Sequence, residues 1–153
     1  MTSSPRIKRL VTFLRDRDFV MDTYIDVLEL QKRDIETSDM DAFAEHSRME
    51  AELIDRLEAL QKVIVPLWST GAEAGSGARD GGENEVRRLD SAFDGKCQRA
   101  IEKNRENQGM IRSELKGLKA QLSGLRKFSA RTGASYLGSS QRHQQPRYID
   151  FEQ

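Results

Sequence analysis

Residues 4–36 read SPRIKRLVTFLRDRDFVMDTYIDVLELQKRDIE, and their spacing decides the fold. Ile7, Leu14, Met21, Leu28 and Ile35 recur every seven residues, supported by Leu10, Val11, Tyr24 and Ile25 three or four positions on. That is the period of a helix with one narrow apolar stripe. Ser4 and Pro5 mark its start: a side-chain oxygen to cap the first turn, then the residue whose missing N–H has no partner to lose there. Thr37, Ser38 and Asp39 offer oxygens that can cap a new helix, and Asp41 puts negative charge in its first turn, so a break is expected here. There is no Gly or Pro at this point, which leaves a single helix from 5 to 65 as the alternative.

A second helical pattern, over about 39–65, carries Phe43, Leu53, Leu57, Leu60 and Ile64. It is expected to stop near Val65, because Pro66 disfavours helical geometry in the residue before it. Leu67 and Trp68 would fold over its end. Residues 69–83 (STGAEAGSGARDGGE) hold five glycines and almost no apolar side chains, the composition of a flexible linker. They lack the Gly-Lys-Ser/Thr ending that a phosphate-cradling loop uses.

The third helix is expected over about 84–131, with Glu83 and Glu85 at the positive end of its dipole. Arg126, Lys127 and Arg131 sit near its C-terminus, and Gly133 can end it. Its seam runs Val86, Leu89, Phe93, Cys97, Ile101, Asn104, Ile111, Leu115, Leu118, Leu122, Leu125 and Phe128. Gly95, Gly109, Gly117 and Gly124 each cost about 1 kcal/mol relative to Ala, so the last third of the helix is loose by itself. Residues 134–153 show no period and read as a disordered tail. The architecture expected is all-α: an elongated antiparallel three-helix coiled-coil hairpin or bundle over 1–133, followed by that tail.

The chain has 153 residues, with 25 basic and 25 acidic side chains and a formal net charge of zero. No global excess of charge argues for a nucleic-acid or anionic-membrane partner. Charge is nevertheless split. Residues 13–60 hold fourteen acids against six bases, and residues 96–132 hold ten bases against three acids. The third helix is therefore expected to pack on the acidic pair. A nucleic-acid groove on the basic helix is the weaker reading, with no aromatic interleaved among the bases from Cys97 to Lys127. Charged residues interrupt the N-terminal apolar run too early for a signal peptide, and no window approaches the ~20 apolar residues of a membrane span. A soluble, cytoplasmic protein without membrane insertion is expected.

The sequence holds little that could do catalysis. His46 and His143 stand alone, without the second histidine a helical zinc site uses. Cys97, the one cysteine, falls on the apolar seam, where it acts as a small hydrophobe. No nucleophile has a base at hand, so neither enzyme activity nor a cofactor is expected. Asn104 and Asn107 differ, because amides on a seam must find hydrogen bonds. They either fix the helix register or meet a partner's backbone.

At about 1.5 Å per residue the third helix would span roughly 70 Å, against about 40 to 48 Å for each of the others. Running antiparallel to the second, it would draw level with Asp39 at about residue 112, leaving Leu115, Leu118, Leu122, Leu125 and Phe128 facing water. Such a stripe marks a site for another helix or an apolar peptide. A continuous first helix would cover it internally, and a homodimer through the same stripe is the third arrangement the pattern permits.

Four stretches carry a family likeness. A long first helix is followed by one opening SDMDAF and running through EAELIDRLEAL. The third helix contains NRENQGMIRSEL, and after it come ASYLGSSQ and a tail ending YIDFEQ. Together these resemble the FlgN family of flagellar export chaperones, small all-helical proteins of about this length. The resemblance implies that the chain binds the C-terminal segments of hook-filament junction proteins, keeps them unassembled in the cytoplasm, and docks them at a flagellar export gate component. It further implies client binding at Leu115 to Phe128 and a gate contact at Tyr136. The competing reading is a structural or adaptor coiled coil that self-associates.

Overall fold

The chain forms three helices, α1 (Pro5–Glu36), α2 (Met40–Glu73) and α3 (Glu83–Leu137), in a computed structural model that describes residues 4–73 and 82–137. Side chains are described for 4–70 and 82–131. Most of the expected linker and tail lies outside the described residues. By internal contacts the chain divides into two units, Met1–Ile111 and Arg112–Gln153.

Ser4 caps α1 with its Oγ accepting from the Ile7 N–H, and Pro5 follows at the first helical position. The helix ends where expected. Ser38 adopts φ 56°, with its N–H donating to the Ile35 carbonyl and the Asp39 N–H to the Asp34 carbonyl. This is a Schellman ending, which satisfies the last carbonyls but puts a side-chain-bearing residue where glycine is preferred. Asp39 then opens α2, its Oδ1 accepting from the Ala42 N–H at 3.1 Å. The chain is thus broken at 37–39, and one continuous helix from 5 to 65 is excluded.

α2 runs through Pro66 to Glu73 instead of stopping near Val65. Proline removes one helical hydrogen bond, the one the Lys62 carbonyl would accept, while side-chain donors reach carbonyls that come after Lys62. Arg6 donates to the Leu67 carbonyl at 2.7 Å, Ser69 to that of Val65, and Thr70 to that of Pro66. Ile64 and Leu67 also pack into the core on either side of the proline. Burial of this face outweighs the local preference.

Within the first unit, α1 is the interior helix. Residue numbers rise along α1 as they fall along α2, from Arg6–Leu67 through Arg17–Gln61 to Tyr24–Glu50, so this pair is antiparallel. They rise together along α3, from Arg17–Asp90 through Tyr24–Asn104 to Leu28–Asn107, so α1 and α3 are parallel. Ile7, Leu10, Val11 and Leu14 form one apolar cluster with Ile64 and Val86. Val20, Met21, Tyr24, Val27 and Leu28 form the other with Leu53 and Ala100. The α3 seam passes through Ala100; Ile101, expected there, is exposed.

Polar layers punctuate this core. Buried Arg17 lies 3.7 Å over the Phe93 ring while donating to Gln61 at 3.2 Å and Asp90 at 3.1 Å, tying all three helices at one level. Further along, Asn104 donates to the Tyr24 hydroxyl, which donates to Glu50, whose other oxygen accepts from Gln31 at 2.6 Å. Burial first, and Glu50 beside it, hold the Tyr24 hydroxyl above its usual range, so it remains a proton donor at neutral pH. His46 meets no second histidine but a carboxylate: its Nδ1 lies 2.5 Å from Oδ2 of the buried Asp34, beside the bend.

Charge complementarity between helices is concentrated on α1. Lys96 reaches Asp18 and Asp22, each at 2.8 Å, Lys103 pairs with Glu29, and Lys32 meets Glu106 at 2.9 Å. Among the described residues, every ion pair that α3 makes with another helix goes to α1.

Three expected outcomes follow from this packing. Ser38→Gly should stabilise the fold by about 1 kcal/mol in urea unfolding, by relieving the left-handed strain. Arg17→Ala should destabilise it by about 2 to 3 kcal/mol, through lost packing and abandoned partners, while Arg17→Met should cost far less. Burial pulls the Lys96 ammonium down, but Asp18 and Asp22 outweigh it and hold the group above its ordinary value of 10.5. A group raised in the folded state stabilises below that value and ceases to do so as pH climbs past it. The stability gap between wild type and Lys96→Met should therefore be full at neutral pH and narrow above about pH 10.5.

Candidate partner-binding surface

The residues expected to meet a client lie in the second unit. Leu115, Leu118, Leu122, Leu125 and Phe128 are 52, 53, 56, 64 and 66 % exposed. The four leucines stand at helical spacings of three and four, so they share one face of α3. Every residue with a described side chain from Arg112 to Arg131 is exposed. The contrast with the first unit is direct, since Leu14 and Leu28 of α1 are 1 % exposed each.

Among the described residues nothing requires Gly109, Gly117 or Gly124 of α3. A Cβ built at Gly109, Gly117 or Gly124 meets no atom within 4 Å, so alanine would fit at each. The helix is weakened there without any packing gain among the described residues.

Asn104 and Asn107 both donate to α1. Asn107 is buried and gives its Nδ2 hydrogen to the Leu28 carbonyl at 2.9 Å, and Asn104 gives its own to Tyr24. Each amide hydrogen bond joins α3 to one level of α1, which fixes the register of that pair. Tyr136 belongs to the last turn of α3, but its side chain lies outside the described residues. Cys97 is half-buried against the second apolar cluster, and burial pushes its thiol up, away from the reactive thiolate.

Sequence reasoning missed three polar side chains that the core absorbs, Arg17, Gln31 and Asp34. Arg17 and Gln31 fall on the heptad that runs Ile7, Leu10, Leu14, Arg17, Met21, Tyr24, Leu28, Gln31, Ile35. The alternating steps of three and four were the signal that places them inside. Among the described residues no group of three or more side chains could hold a metal ion, and no helix is long and apolar enough to cross a membrane. The chain matches no family model, no curated protein and no solved structure.

Proposed function

We infer that the chain is a chaperone of the FlgN type, which holds an unassembled hook-filament junction protein in the cytoplasm and passes it to the flagellar export gate. The observation that carries this reading is the exposed leucine face from Leu115 to Leu125 on a helix otherwise rich in charge. The resemblance of NRENQGMIRSEL, ASYLGSSQ and the flanking helices to that family gives the face its client. The work is binding without catalysis. A disordered amphipathic segment of the client folds as a helix on the leucines, losing chain entropy and gaining apolar burial. Moderate, reversible affinity results, and release requires no chemistry by this chain. Tyr136 is assigned to the export gate on the family likeness alone.

Light scattering at low concentration, with and without a junction-protein tail peptide, tests the reading against a self-associating coiled coil. A monomer that takes up the peptide one to one supports it, whereas a tight dimer that ignores the peptide sinks it. Leu118→Asp and Leu122→Asp should each weaken peptide binding by about 10- to 100-fold, the worth of one buried leucine of about 1.5 to 3 kcal/mol. Helicity and melting temperature should hardly change, because these side chains contribute nothing to the core. A collapse of the melting temperature in either variant would show the face to be core instead.

A further inference from the structure

The leucine face has a charged flank, and its charge is uniform. Arg112, Lys119 and Arg126 recur every seven residues, each directly after an apolar residue of the seam in sequence, Ile111, Leu118 and Leu125. Seven residues make nearly two turns, so these bases form a row beside the leucines. Lys116, Lys127 and Arg131 add to the same segment, and Glu114 is the one acid from 112 to 131. Among the described residues none of the six bases makes an ion pair.

The first unit shows what such bases do when they are covered. There Lys96 and Lys103, again seven residues apart, are matched by Asp18, Asp22 and Glu29 of a helix that also supplies the apolar heptad. Along α1, acids thus stand opposite the bases of α3, and Arg15, Arg17 and Lys32 stand opposite its acids Glu85, Asp90 and Glu106, so a stretch of α3 that carries bases accepts an apolar stripe with acids at its edge.

We propose that the partner seated on Leu115, Leu118, Leu122 and Leu125 is an amphipathic helix with an acidic flank, selected against basic helices and against a second copy of this chain by Arg112, Lys119 and Arg126. A second copy would bring the same excess of positive charge, six bases against one acid, to the same face. The proposal rests on the chaperone reading only for the identity of the client, and it adds the charge that client's helix carries.

The test uses the full chain and two synthetic peptides with identical leucine heptads, one carrying glutamates and the other lysines at the flanking positions. Fluorescence anisotropy at low salt should give the glutamate peptide at least about tenfold tighter binding, a margin that shrinks as salt screens the charges. In the triple variant R112E/K119E/R126E, whose changes are all at exposed positions, the preference should invert. Equal affinity for the two peptides, or a dimer that shuts out both, overturns the proposal. A junction-protein tail peptide whose binding ignores the triple reversal also overturns it, while leaving the chaperone reading in place. Glutamate-peptide binding without any tail-peptide binding does the opposite: it supports the acidic partner and removes the chaperone reading.

Discussion

Helix α1 cannot keep its buried side chains from water with a single neighbour. Its heptad stripe from Ile7 to Ile35 is joined by Val11, Val20, Val27 and Asp34, which widen the buried arc beyond what one helix covers. Both α2 and α3 must therefore lie against it. The dependence is unequal, since among the described residues α2 buries only Leu53 and Ile64 of its apolar side chains, and α3 only Val86 and Ala100. The outer helices are amphipathic elements held in place by an interior one. Where leucine and isoleucine would let helices slide, the Arg17 layer and the Tyr24, Glu50 and Asn104 chain each accept one alignment.

Much of this was legible in the residues. The seven-residue recurrence, the Ser-Pro start and the capping oxygens at 37–39 place both ends of α1 and the start of α2 within a residue. Two features were hidden, for different physical reasons. Arg17 and Gln31 look like surface residues by type, and only their position in the heptad places them inside, where a cation–ring contact and amide hydrogen bonds make burial tolerable. Pro66 reads as a stop because its local cost is known, whereas the compensating contacts of Ile64 and Leu67 come from other helices, from Ile7, Leu10 and Leu14 of α1 and from Val86 of α3. The α3 seam departs from expectation for a simpler reason. Ala100 continues the seven-residue series Val86, Phe93, Ala100, Asn107, but it is too small to announce itself beside Ile101.

The leucine face was read from lengths alone, by matching the third helix against the first two. The structure places those side chains in a separate unit, each of them more than half exposed. Charge follows the same division. Within the first unit opposite charges meet across α1 and α3, whereas the bases from Arg112 onward have no such match among the described residues. Formal neutrality of the whole sequence conceals this, since the acids and bases that cancel in the sum do not all meet in space.

The open space around Gly117 and Gly124 bears on how long a complex would last. A helix that carries residues of poor propensity is easily frayed, so a bound guest could depart by local melting of its host without waiting for the entire interface to separate. Dwell time and affinity would then be set by different residues: the leucines govern how tightly the guest is held, and the glycines govern how quickly it is let go.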